Sequence, residues 1–156
     1  MFNLHLIVLG KYKETHWKSA EAEYLKRLKP YAKIHITEIS EEAFHDINER
    51  DSVQLREAEK IKKYLAPGSI VIACHERGKE FDSIMFAKLL EEKSQHGDEI
   101  TIIIGGPLGL HPSLLEEVPL QLSLSKLTFP HQLVRIILLE QLYRAGTINA
   151  HKQYHY

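Results

Sequence analysis

Two short segments of the chain hold backbone and side chains suited to a ligand. The first is Gly105-Gly106-Pro107-Leu108-Gly109, directly after the apolar run Ile100–Ile104. A glycine turn at the end of a buried strand lets a ligand approach bare backbone. Its spacing is not the dinucleotide fingerprint, and no Gly-Lys-Ser/Thr follows to make a Walker loop. The second is Ser125-Lys126-Leu127-Thr128-Phe129-Pro130-His131, which places Ser125, Lys126 and Thr128 between Leu124 and Phe129. Pro130 suits the first turn of a helix that follows. Two bends leaving the carboxyl ends of neighbouring strands are how open α/β sheets build a binding crevice.

Other candidates carry blander readings beside the functional ones. Cys74 and His75 are a nucleophile and a base by type, but neighbours in a strand point to opposite faces and cannot meet. Cys74 is therefore expected to be buried and inert. His151 and His155 have the i,i+4 spacing of two metal ligands on one helical face. With no third ligand in frame, no metal is expected. The tail Tyr154-His155-Tyr156 offers rings that either pack on the surface or stack on an exposed base. Glu140 and Arg144 are spaced for an ordinary helix-surface ion pair.

The elements that must position these groups follow from periodicity. Phe2–Leu9 predicts a first strand, and Gly10 with the basic turn Lys11-Tyr12-Lys13 ends it. Trp17, Ala20, Tyr24, Leu25 and Leu28 keep helical spacing from Glu14 until Pro30. Ile34, Ile36 and Ile39 mark a second strand, and 40–51 is expected to be a mobile loop. A helix capped by Ser52 is expected to run to Leu65, followed by the strand Ser69–Cys74, a loop over 75–79 and a helix from Asp82 to Lys93. Ile100–Ile104, a short helix, a strand over Leu120–Leu124 and a long helix complete the chain. On that helix Leu133, Val134, Ile137, Leu138, Gln141, Leu142 and Ala145 are expected to form a wide apolar face, part of it available to a second subunit, with Arg135 off the stripe. The alternation predicts an α/β fold, a parallel-sheet α/β/α sandwich in one domain spanning 1–156.

With 156 residues, 44% hydrophobic and 26% charged, the composition is that of an ordinary globular domain. No apolar run approaches the roughly 18–20 residues that cross a bilayer, so no membrane association is expected. The amino-terminal residues lack the pattern of a signal peptide, and a single cysteine fits a reducing, cytoplasmic setting. A net charge of −1 rules out whole-molecule attraction to nucleic acid. The stretch 120–156 nevertheless holds Lys126, Arg135, Arg144 and Lys152 against Glu140 alone.

Taken together, Gly105-Gly106-Pro107-Leu108-Gly109-Leu110, Leu124 through Gln132, Arg135 and Glu140-Gln141-Leu142-Tyr143-Arg144-Ala145 closely resemble the RlmH family. These are pseudouridine N3-methyltransferases of large-subunit ribosomal RNA, of the SPOUT (trefoil-knotted) class. The opening Leu6-Ile7-Val8-Leu9-Gly10-Lys11, the pair Gly78-Lys79 and the terminal Tyr154-His155 extend the resemblance over essentially the whole chain. The resemblance implies a carboxyl-terminal trefoil knot, although threaded chains are rare. It implies S-adenosylmethionine (SAM) as co-substrate, held by Cys74, Gly105 and the run Leu124, Ser125, Lys126, Leu127, Thr128 and Phe129. It further implies a homodimer acting on helix 69 of 23S rRNA in the assembled ribosome, each site completed by the partner subunit. The chemistry of removing the N3 proton makes His131, Glu140, Tyr143 and His155 the candidates, with His155 and Tyr154 preferred for base recognition and Arg135, Glu140 and Arg144 as organisers of the site. Leu108, between the glycines, and Ala73-Cys74-His75-Glu76 depart from the family's commoner residues, which leaves Cys74 with the weakest assignment. A non-enzymatic RNA-binding module and an α/β enzyme for another nucleotide remain as alternatives.

Overall fold

Phe2, Leu4, Leu6 and Val8 lie on one face of the first strand and Ile7 and Leu9 on the other, and all six are buried. A strand apolar on both sides needs cover on both sides. The computed structural model, which describes residues 1–95 and 97–154, supplies it. The elements are β1 (Phe2–Leu9), α1 (Thr15–Leu28), β2 (Ala32–Ile39), α2 (Arg50–Lys62), β3 (Ile70–Glu80), α3 (Ser83–Lys93), β4 (Glu99–Ile104), α4 (Pro112–Glu117), β5 (Leu120–Ser123) and α5 (His131–Asn149). All strand pairs are parallel, in the order β2-β1-β4-β3-β5. Helices α1, α3 and α5 cover one face through Leu28, Phe86, Leu90, Leu138 and Leu142. Helices α2 and α4 cover the other through Ala58, Ile61 and Leu114. This is the expected α/β/α sandwich.

Three local features differ from the sequence reading. Residues 40–51 are not one loop: Asp46 accepts a hydrogen bond from Asn48 N at 2.8 Å and opens a single 3-10 turn, Ile47–Glu49, that runs into α2 at Arg50. Ser52 is therefore already inside the helix, where its hydroxyl donates to the Glu49 carbonyl at 2.9 Å instead of capping. The segment before it is tied down, with Glu42 paired to Lys60 at 2.5 Å and to Arg56 at 3.1 Å. Next, β3 continues through the residues expected to leave the sheet. Both Cys74 and Lys79 stand opposite Leu122, so four residues, 75–78, are inserted into an otherwise extended ladder. Gly78 makes this possible, because a Cβ there would lie 2.6 Å from the Gln121 carbonyl oxygen. Finally, α5 stops at Asn149. His151 takes a left-handed conformation (φ 53), while Lys152 N donates to Thr147 O and His151 N to Ile148 O, each at 2.9 Å. This is a Schellman stop with histidine in the glycine position. His151 thus lies off the helix that an i,i+4 metal pair requires, and His155 lies outside the described residues.

The amino-terminal end of the α2 side of the sheet holds a polar pocket of its own. His5 is 6% exposed, stacks on His35 with ring centroids 4.5 Å apart and shares a 2.8 Å hydrogen bond with Thr37. Burial, then the neighbouring His35, lower its pKa, and Glu99 opposes them. The native state thus binds fewer protons than the unfolded chain as pH falls below the ordinary histidine value. Stability is expected to be complete above about pH 6.5 and to decline below it. Urea unfolding of the wild type and of His5→Phe between pH 7.5 and 5.5 checks this, and equal slopes in the two proteins would refute it.

Candidate active site

The bend after β5 lies against the excursion in β3. Cys74, His75, Glu76, Leu122, Leu124, Ser125, Thr128, Phe129 and Val134 surround a hollow of about 120 Å³ at the carboxyl ends of the two strands. Its walls are apolar at Leu122, Leu124, Phe129 and Val134 and polar at Ser125, Thr128, His75 and Glu76. The bend is ordered by its own serines. Ser123 Oγ donates to the Ser125 carbonyl at 3.1 Å, and Ser125 Oγ accepts from Leu127 N at 3.0 Å. That turn leaves Lys126, Leu127 and Thr128 exposed, Leu127 by 71%. Cys74, half-buried, is pushed up to about 12 by burial, so its thiol stays protonated and inert at neutral pH.

Five of the eight residues assigned to SAM by resemblance line this hollow: Cys74, Leu124, Ser125, Thr128 and Phe129. Lys126 and Leu127 project from the bend, with Lys126 3.9 Å from Glu80. Gly105 ends β4, the strand on the other side of β3. Its bend folds back on itself, since a Cβ would meet Gly109 and Leu110 at 3.1 Å, and the Leu108 carbonyl accepts from Gln54 of α2 at 2.6 Å. The two bends therefore flank the end of β3 without touching the same hollow in the single chain. His75, Glu76, Leu122 and Val134 line the hollow although sequence reasoning did not single them out as site residues. His75 was weighed only as a partner for Cys74. Its Nδ1 is buried without a hydrogen-bond partner among the described residues.

Helix α5 carries the remaining candidates at its two ends. In the first turn, His131 Nε2 meets Glu41 at 2.9 Å. Arg135, expected off the apolar stripe, is instead 4% exposed. Its guanidinium pairs with Glu21 and, at 2.9 Å, with Glu38, and lies 4.4 Å from the centre of the Tyr12 ring. The buried residues of the helix are Arg135, Leu138, Leu139, Leu142, Ala145, Gly146 and Thr147, so the stripe is rotated from the one expected. Leu133, Val134, Ile137 and Gln141 are only half-covered. Toward the other end Arg144 binds Glu140 at 2.6 Å, as the spacing predicted, and this hydrogen bond raises the pKa of Arg144. Arg144 also sits 4.9 Å from the Tyr154 ring, which packs edge-on against Tyr143 at 4.7 Å. Val134 and Arg144 are ten residues apart, about 15 Å along the axis. One chain thus keeps its hollow and its Glu140–Arg144–Tyr154 cluster well apart.

A parallel sheet with a lined hollow at its carboxyl edge and a long closing helix agrees with the comparisons to known proteins. Residues 2–155 match a family model described as "Predicted SPOUT methyltransferase". A solved structure of a probable methylase family protein from Haemophilus influenzae Rd KW20 superimposes with a TM-score of 0.56 at 13% identity, covering 99% of this chain and 71% of that one. The class is therefore SPOUT methyltransferase. Two curated relatives are each called ribosomal RNA large subunit methyltransferase H. That of Carboxydothermus hydrogenoformans is 42% identical, over 96% of this chain and 97% of its own length. That of Bifidobacterium adolescentis is 44% identical, again over 96% and 97%. This chain belongs to that RlmH family.

Among the described residues no helix is long and apolar enough to cross a membrane. Nor do three or more His, Cys, Asp or Glu residues gather there to hold a metal ion.

Proposed function

We propose that the protein methylates N3 of a pseudouridine in helix 69 of 23S rRNA, on the assembled ribosome and with SAM as methyl donor, as a cytoplasmic homodimer. The observation that carries this reading is the hollow between the β3 excursion and the 124–129 bend, together with the names borne by relatives that align over nearly the whole chain. The wall chemistry fits the co-substrate. Leu124, Phe129 and Val134 offer surface to a flat ring and to the carbons around a sulfonium, Ser125 and Thr128 offer hydroxyls, and the His75 Nδ1, unpartnered among the described residues, offers a further hydrogen bond. At about 120 Å³ the hollow is smaller than a typical ligand pocket of roughly 300 Å³ or more, so the exposed Lys126–Thr128 bend has to yield.

When bound, SAM supplies a methyl group on a cationic sulfur. The protein's own residues hold and orient, and positioning of this kind supplies much of the acceleration in group transfer. Ser125, Thr128 and the backbone of the bend would hold the donor from one side, with His75 and Glu76 on the facing wall. The target N3–H has to lose its proton, and His131, Glu140, Tyr143 and His155 are the candidates for receiving or relaying it, with Tyr154 beside His155 for recognition of the base. Glu140 is already held by Arg144, so the pair orients the tail ring, while His131 is held by Glu41.

The separation along α5 favours a site shared between subunits. The half-covered Leu133, Ile137, Glu140 and Arg144 share one side of the helix by their spacing and suit pairing with a second copy. An antiparallel α5 pair would bring the partner's tail to the hollow. A carboxyl-terminal knot is compatible with the path of the chain, which leaves the edge strand β5 and returns to pack α5 against α1 and α3.

The direct test is labelled-methyl transfer from SAM to assembled ribosomes and to free 23S rRNA, with the product located by mass spectrometry. Transfer to one pseudouridine of ribosomes is expected, and absence of transfer to either substrate rejects the reading. In parallel, SAM at 100 times its dissociation constant is expected to stabilise the protein by about 2.7 kcal/mol. A thermal midpoint unmoved by SAM would point to a binding module that has lost the donor.

A further inference from the structure

We infer that the turn after β1 and the start of α1 grip the phosphate backbone of the RNA strand beside the hollow, through Lys11 and Lys13 of the turn and Lys18 of the helix. This inference rests on the methyltransferase reading and adds a substrate-binding surface to it. The turn is unusually well anchored for a surface loop. Gly10 holds φ +86, a backbone conformation that favours glycine, and packs close to His131 and the end of the Glu41 side chain. Tyr12 points inward, 6% exposed, and its hydroxyl donates to the Gln132 carbonyl at 2.9 Å. Its ring lies under the Arg135 guanidinium and stacks on Trp17 at 6.3 Å, which in turn meets His16 at 4.8 Å.

Anchoring Tyr12 leaves its neighbours outside. Lys11, Lys13 and Lys18 are all exposed, and none forms an ion pair with a described residue. Glu14 is the one acid between them in the sequence. The nearby Glu41 contacts His131, and Glu21 and Glu38 both contact Arg135, so these acids are engaged by side chains other than the three lysines. The same first turn of α5 faces both places: His131, Gln132 and Arg135 border the cavity under the lysine turn together with Lys11, while Val134 lines the hollow. Lys11 thus borders a cavity that shares the first turn of α5 with the hollow. In a chain of net charge −1, attraction to a polyanion has to come from local cations of this kind.

The test compares Lys11→Ala/Lys13→Ala/Lys18→Ala with the wild type in methyl transfer to ribosomes across a salt series. The substitutions are on exposed side chains, and SAM-induced thermal stabilisation monitors the fold and the hollow. KM for ribosomes is expected to rise at least tenfold with kcat little changed, and the slope of log affinity against log salt to fall by about 2. A second variant, Lys63→Ala/Lys88→Ala/Lys93→Ala, removes three lysines elsewhere and is expected to leave both quantities unchanged. Equal KM and equal salt slope in the first variant and the wild type overturn the inference, as does an equal effect from the second variant. A wild type that transfers no methyl group overturns the functional reading itself, a different outcome from an active enzyme indifferent to these lysines.

Discussion

Arg135→Ala is expected to destabilise the protein by about 3–5 kcal/mol, the cost of breaking a buried ion pair from one side. The substitution strands Glu21 and Glu38, whose side chains are 16% and 31% exposed, facing each other without their shared cation. Burial already raises the pKa of Glu21 against the pull of Arg135, so that carboxylate depends on the guanidinium. The loss corresponds to a fall in thermal midpoint on the order of 10 °C for a domain of this size. Replacing all three groups with neutral ones, as in Arg135→Met with Glu21→Leu and Glu38→Gln, is expected to recover most of it. An unchanged midpoint in the single variant would show that the clamp contributes nothing. A triple variant as weak as the single one would show that the carboxylates are not what suffers. The same comparison separates two roles for Arg135. Held by two acids, it acts by fixing the first turn of α5, so the folded triple variant should still be stabilised by SAM.

The second large effect concerns the division of the site along α5. Tyr154→Ala is expected to lower methyl transfer about 100-fold without affecting SAM binding, the scale of loss that misplacement of a reacting group produces. Thr128→Trp, at an exposed position on the rim, is expected to fill the hollow and abolish SAM binding while leaving the fold intact. If each site takes its hollow from one subunit and its tail from the other, both defects of a mixed dimer fall in the same site and its other site is intact. The mixed dimer then keeps about half of its sites working. Activity of subunits co-expressed with two different tags and purified through both measures this directly. A mixture as inactive as either parent would mean that hollow and tail serve the same site within one chain. Full turnover by Tyr154→Ala would remove the tail from the chemistry altogether.

The layers of the fold were legible because β1, β3 and β4 are apolar on both faces and the helices between them keep a clear period. What escaped was set by single contacts. Asp46 captured a helix start that the pattern had placed at Ser52. Gly78 allowed β3 to rejoin the sheet after an insertion that local sequence makes look like a plain loop. The bend at 124–129 was visible from its residue types, but its facing wall, His75 and Glu76, depends on a ladder register that no local pattern encodes. Arg135 was misplaced for a related reason: the amphipathic period assigns a charged residue to the outside unless two acids from other elements happen to meet it.

The stop at the end of α5 has a consequence for how the tail can vary. Each residue added to the helix before His151 would rotate the departing chain by about 100° and lift it about 1.5 Å. Tyr154 would then leave Tyr143 on a different heading, whatever its own identity. The helix works as a ruler with an angular scale, and a length change of a single residue between Arg144 and His151 should disturb the tail more than most substitutions within it.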